Sequence, residues 1–186
     1  MPTPAKTSRE ELVSIALGLV ETGGVAALTV SAVAKAAGIK GPSIYKHFTD
    51  RLALLRAAEI EVIKDLEAVL RASIRGRTAR ARIVSLANAY RGFAKSQPHR
   101  YELLYSRNIA GDPELAAASR SGVQPLFDEL RAAGVPDARL LTLARTLTAF
   151  MHGFVSMELV GAFRLGGDLE RDFQDSLATI LSEIPG

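Results

Sequence analysis

Thr29, Lys40, Ser43, Tyr45, Lys46, His47 and Arg51 crowd one short stretch near the start of the chain. Two hydroxyls, two ammonium groups, an imidazole, a phenol and a guanidinium can all donate hydrogen bonds to anionic oxygen. From Lys35 to Arg51 there are four basic residues and one acid, so this stretch is where an anionic partner would be met. Other chemistries are poorly supplied. The 186-residue chain has no cysteine, which excludes disulfides and thiolate metal sites. Its three histidines and its carboxylates are scattered, with no pair spaced for general acid–base work. His152 and Glu158, six apart, fall on different faces of a helix. Phosphate loops, metal-spaced clusters and nucleophile elbows are absent from the sequence, so no enzyme activity, metal or cofactor is expected.

The elements around this stretch read as helices. Ser8 and Glu11 form a capping box ahead of Leu12, Ile15, Ala16, Leu19 and Val20, which share one helical face. Gly23-Gly24 is expected to end this first helix. Thr29 caps a second, carrying Val30, Val33, Ala34 and Ala37, which Gly38 closes. A third is expected from Lys40 to His47 with Pro42 in its first turn, and Asp50 caps a long fourth. Further helices are expected at 79–96, from His99 to Arg107, from Pro113 to Ala133, from Asp137 to Phe163 and from Asp168 to Ser182. The fold class is all-α with nine helices: residues 1–50 form a three-helix domain and residues 51–186 a larger helical one.

Small Ala34 and the turn at Gly38, with Val33, Ala37, Ile39 and Ile44 between the helices, suit two helices crossing through a tight turn. Leu28-Thr29, Val33-Ala34, Ala37-Gly38-Ile39, Ser43-Ile44-Tyr45-Lys46-His47-Phe48, Asp50-Arg51 and Leu54-Leu55 together resemble the TetR family of bacterial regulators. The resemblance implies a helix-turn-helix whose third helix enters the major groove. It gives Thr29 the role of offering its hydroxyl and backbone N–H to a phosphate. Lys40, Gly41, Pro42 and Ser43 would meet base edges, with guanine the natural target of Lys40. Tyr45 would lie on the sugar-phosphate backbone, and Lys46 and His47 would reach phosphates or bases. Arg51, where the family usually has lysine, would clamp a phosphate. Lys40 replaces a common small hydroxyl residue, losing a cap and gaining a charge. Phe48 and Ile44 read as core.

Beyond residue 51 the sequence is less specific. The eighth helix is apolar on almost every face, which calls for a second contact surface beside the protomer core. The stretch Met151-His152-Gly153-Phe154 resembles the tryptophan-histidine-glycine C-terminal domain of some TetR-like proteins, with methionine in place of the tryptophan. The resemblance implies a homodimer built on the last two helices, for which Ala144, Leu147, Met151, Phe154, Phe173, Leu177 and Ile180 are candidates. It also implies a mostly apolar effector pocket, for which Tyr90, Phe93, Tyr101, Leu104, Tyr105, Phe127, Phe150, His152 and Met157 are candidates, although each also suits plain core. Arg71, Arg75, Arg77, Arg80 and Arg82, without an interspersed acid, favour the end of the fourth helix through its dipole.

Residues 1–51 hold six basic and four acidic side chains, and the whole chain carries a net charge of +3. Met1 to Glu11 shows no apolar signal segment, and no run approaches a membrane span, so a soluble cytoplasmic protein is expected. The function that follows is a sequence-specific regulator, by resemblance a repressor, binding a near-palindromic double-stranded operator under control of a small, partly apolar effector. A purely architectural DNA-binding protein would not need the large second domain. Whether the effector releases or strengthens DNA binding is left open.

Overall fold

The computed structural model describes residues 7–105 and 112–184. Its described residues form nine helices and no strand: α1 Arg9–Ala27, α2 Val30–Ala36, α3 Gly41–Ile44, α4 Arg51–Ser73, α5 Ala79–Ser96, α6 Pro98–Leu103, α7 Pro113–Ala132, α8 Asp137–Leu159 and α9 Leu169–Leu181. None of them is long and apolar enough to cross a membrane.

Local chemistry sets most of the ends. The Glu11 amide donates to Ser8 Oγ at 3.1 Å, and Asp168 Oδ1 accepts from the amides of Glu170 and Arg171, satisfying donors that a helix start leaves unpaired. The ends of α1 and α8 differ from the sequence-based expectation. α1 does not stop at Gly23-Gly24. Gly24 takes φ +69° and ψ −178°, which kinks the helix, and the chain resumes as one more turn to Ala27. α8 stops at Leu159 rather than Phe163, because the amides of Gly161 and Ala162 turn back onto the carbonyls of Glu158 and Met157. The expected end of the sixth helix at Arg107 lies outside the described residues.

The described residues pack as two compact units. One draws on Met1–Asp65 with Gln97–Ser119, the other on Leu66–Ser96 with Arg120–Gly186. Packing therefore does not break at residue 50: the first part of α4 shares a unit with α1, α2 and α3, as does α6, which packs against α1. In the first unit Leu12, Ala16 and Val20 of α1, Leu28, Val33 of α2, Ile44, Phe48 and Leu54 are buried. A second apolar cluster joins Ile60 and Ile63 to Leu115, with Leu104 against it. The other unit buries Ile83, Leu86 and Tyr90 of α5, Leu140, Leu147 and Val155 of α8, and Phe173, Leu177 and Leu181 of α9. Fully burying a large apolar side chain contributes about 1.5–3 kcal/mol.

Candidate nucleic-acid interface

α2 starts at Thr29, whose Oγ1 accepts the Ala32 amide at 3.1 Å. It closes at Gly38, which takes φ +66° while the Ile39 amide donates to the Ala34 carbonyl at 3.0 Å. Glycine adopts this left-handed conformation at little cost, so the chain reverses within one residue. α3 follows at once and is shorter than the Lys40–His47 span. After Ile44 the backbone tightens: the His47 and Phe48 amides both donate to the Ile44 carbonyl, at 2.8 and 3.0 Å.

The anchors of α3 face inward. Ile44 is wholly buried and Phe48 nearly so, with the Arg9 guanidinium 5.1 Å above the Phe48 ring. The rest of α3 and its flanks is exposed or half-buried. Tyr45 is 57% exposed, far above what a packed tyrosine shows. Lys40, Pro42 and Lys46 are exposed too, and Gly41, Ser43 and His47 half-buried. Lys40 occupies the N-cap of α3, where its ammonium, a donor with no acceptor, cannot cap the helix amides. A buried Ile44–Phe48 anchor thus holds an aromatic ring between two lysines at one surface.

Two residues of the interface are already engaged. The Thr29 amide donates to the Ala27 carbonyl at 3.0 Å, leaving the hydroxyl hydrogen rather than the amide for an anion. Arg51 directs its Nε to the Leu28 carbonyl at 2.9 Å and its Nη2 to the Val25 carbonyl at 3.5 Å. Asp50 caps α4 through the Ala53 amide at 2.8 Å, and that bond, the largest influence on it, holds its carboxyl below the ordinary range. The Glu10 carboxyl is also lowered, first by a backbone hydrogen bond, then by Ser8, with Arg9 and His47 adding positive potential.

The nine candidate pocket residues divide between the two units. Tyr101, Leu104 and Tyr105 belong to the first, where Tyr101 is buried with its ring centroid 5.4 Å from that of Tyr105. In the second, Tyr90 and Phe93 are buried and Phe127 lies under the Arg131 guanidinium. Phe150 stacks on Phe173 at 5.3 Å, and Met157 is exposed. His152 has its Nδ1 3.4 Å from the Ser156 hydroxyl, and burial pushes its pKa down. Of the candidate dimer residues, Ala144, Leu147, Met151, Phe173 and Leu177 are buried inside the protomer, and Phe154 and Ile180 are half-buried.

Sequence reasoning missed two features. One is a mixed-charge groove of about 370 Å³ in the first unit, floored by Val13, Leu17, Ala57 and Ile60 and edged by Arg9, Glu61, Lys64, Asp65 and Arg100. The other is Arg91, only 5% exposed, whose guanidinium donates to both Glu158 oxygens at 2.7 and 2.8 Å and to Glu170. It lies 5.0 Å from the Phe173 ring centroid and 5.9 Å from that of Phe154. Arg91 holds α5, α8 and α9 together, and the Glu158 carboxyl is lowered chiefly by its hydrogen bonds. These partners lie 67 and 79 residues away, so no local spacing announces them.

Known proteins share this arrangement. A family model described as bacterial regulatory proteins, tetR family, matches residues 12–58. A second, described as the tetracyclin repressor-like C-terminal domain, matches residues 83–180. The chain is 35% identical over 159 residues to the uncharacterized HTH-type transcriptional regulator Rv0681 of Mycobacterium tuberculosis, covering 85% of this chain and 73% of the relative. Among solved structures, a protein of unknown function from Rhodococcus sp. RHA1 superposes over 100% of both chains with a TM-score of 0.82 at 22% identity. Mycobacterium smegmatis BioQ is similar as well. The structure of BioQ with its double-stranded DNA operator matches 94% of this chain and 96% of that one, with a TM-score of 0.68 at 22% identity. The chain belongs to the TetR family of bacterial regulatory proteins and is a transcriptional regulator with a helix-turn-helix DNA-binding domain.

Proposed function

We propose that the protein is a repressor that binds a near-palindromic operator as a homodimer and that a small, partly apolar effector alters its affinity. The observation that carries the DNA-reading role is the exposed Tyr45 held between exposed Lys40 and Lys46 by the buried pair Ile44 and Phe48. In this reading Gly41, Pro42 and Ser43 bring the start of α3 to base edges and Lys40 reaches guanine. Thr29, Tyr45, Lys46 and His47 contact the backbone, which fixes register without choosing sequence. The similar fold of BioQ, solved with its operator, supports this docking. In this reading the protein works in the bacterial cytoplasm, where its operator lies.

Two copies set their recognition helices about one DNA turn, 34–36 Å, apart. We assign the dimer contact to α8 and α9, but to the outward side of α8. There Thr142, Arg145, Ala149 and Val160 are exposed and Gly153 and Ser156 half-buried, at helical spacing. The effector acts by population shift, through its differential affinity for two states of the dimer. Within the second unit, Tyr90, Phe93, Phe127, Phe150 and His152 remain the candidates to meet it.

The test is selection of duplexes from a random-sequence library by the purified protein, followed by salt titration of the enriched ones. An inverted repeat with a steep salt slope is expected. Failure of a folded dimer to enrich any sequence would overturn the reading, provided Tyr45→Ala binds nonspecific duplex as well as wild type does. In the expected case Tyr45→Ala weakens binding to every duplex.

A further inference from the structure

The family resemblance casts Arg51 as a phosphate clamp, but its hydrogen bonds point elsewhere. Its Nε donates to the Leu28 carbonyl at 2.9 Å and its Nη2 to the Val25 carbonyl at 3.5 Å. Both acceptors belong to the turn that follows the Gly24 kink and leads directly into Thr29, the N-cap of α2. A helix end carries unpaired carbonyls and a partial negative charge, which basic side chains of the last turn commonly offset. α1 has no basic residue in its last turn. The cap backbone N–H of Leu28 reaches the Val25 carbonyl, and Leu28 itself is wholly buried. Arg51 makes no ion pair among the described residues, so its charge is free to serve these carbonyls.

We propose that Arg51 is a positioning residue: reaching from the first turn of α4, it caps the end of α1 and fixes the turn that aims α2, and with it the helix-turn-helix, at DNA. This rests on the DNA-binding reading above. Guanidinium suits the task because its fixed fork spans two carbonyls, which a lysine ammonium on a flexible stem does not reproduce. α1 stops being free to pivot at Gly24 once both of its ends are held: Arg100 of α6 binds Glu21 just before the kink, at 3.1 Å, and Arg51 binds the turn just after it.

The experiment compares wild type with Arg51→Met and Arg51→Lys. Amide hydrogen exchange is followed in the DNA-free protein, and binding to the enriched duplex is followed across salt concentrations. A capping role predicts that both variants, folded by circular dichroism, exchange faster across residues 25–36. Losing the charge-assisted bonds should cost about tenfold in affinity. The salt slope of Arg51→Lys should match wild type, and lysine should not restore the affinity. A phosphate clamp predicts the reverse: unchanged exchange in both variants, a salt slope shallower by about one per lost contact in Arg51→Met, and recovery by Arg51→Lys. That pattern would overturn the proposal. So would faster exchange with wild-type affinity, since the turn would then be fixed to no purpose. The exchange measurement needs no DNA. If wild type binds no duplex, it is the DNA-binding reading that fails, and unchanged exchange would still refute the cap.

Discussion

Single side chains in this protein are used more for holding helix ends than their surface positions suggest. The arginine run after α4 illustrates it: Arg75 donates to the Ala72 and Ile74 carbonyls, and Arg80 reaches the Ile184 carbonyl beyond α9 at 2.6 Å. Lys40 is the contrary case, a cation left uncapping at a helix start so that it can face outward. Lys40→Ser restores a capping hydroxyl and should raise stability by about 0.5–1 kcal/mol in denaturant titration. The same change should weaken operator binding and relax selectivity at the base pair that Lys40 reads. A variant that gains stability without losing selectivity would take Lys40 out of base readout. Arg91 carries a large stability stake. Arg91→Met leaves Glu158 buried with only Lys95 beside it, while Glu170 relaxes into water, so a loss of about 3 kcal/mol is expected, the lower part of the range for broken buried pairs. Because Glu158 has its folded-state pKa lowered, its stabilisation is present above the ordinary glutamate range and is lost as pH falls through the depressed value. Glu158→Gln should therefore flatten the fall of the melting temperature with acid while lowering its value at neutral pH. An unchanged acid profile would remove Glu158 from that role.

At the level of elements, what the sequence made legible is what local chemistry decides. Ser8, Thr29, Asp50 and Asp168 start helices through their own side-chain oxygens, and Gly38 ends one by its own conformation. The orientation of the α3 surface was legible too, because Ile44 and Phe48 are the only large apolar side chains there able to anchor it besides Tyr45. What was not legible depends on partners distant in sequence. Gly24 looked like a stop because glycine pairs usually are, yet Arg51 and the buried Leu28 hold one more turn beyond it. The interior direction of Leu147 and Met151 was hidden because α8 is apolar on nearly every side, so periodicity alone names no face. Gly24 and Gly38, two of the positive-φ glycines, separate these cases. Gly24, with ψ near 180°, sits in a region almost reserved for glycine, whereas an alanine Cβ at Gly38 would meet nothing within 4 Å. Gly38→Ala should cost about 1–2 kcal/mol from backbone strain alone. Gly24→Ala should cost more, up to about 3 kcal/mol. Chemical denaturation ranks them, and an equal or inverted order would show that the kink is not held as described.

The whole molecule must satisfy α8 twice, once toward the protomer core and once toward whatever covers its other side. The inward side is filled: Leu140, Leu143, Ala144, Leu147, Met151 and Val155 are all buried. The outward strip of Thr142, Arg145, Ala149, Gly153, Ser156 and Val160 carries one charged side chain, near its N-terminal end, and otherwise consists mostly of small ones, with Val160 78% exposed and Leu141 and Met157 also open to solvent. Small side chains let a second helix approach to about 8 Å, and such a strip is of little use in water. The substitution that decides its role is Ala149→Arg. Ala149 is exposed in the protomer, so a long charged side chain there projects into solvent and leaves the fold intact. In a dimer packed on this strip, the same side chain and its charge have nowhere to go without desolvation, which costs far more than an association of ordinary strength can absorb. Sedimentation at micromolar concentration should give a dimer for wild type and a monomer of unchanged helicity for Ala149→Arg. The monomer should also bind the enriched inverted repeat much more weakly, because each copy then holds only one half-site. A dimeric Ala149→Arg would move the interface away from this strip, and a monomeric wild type would remove the homodimer, and with it the reason for expecting a palindromic operator.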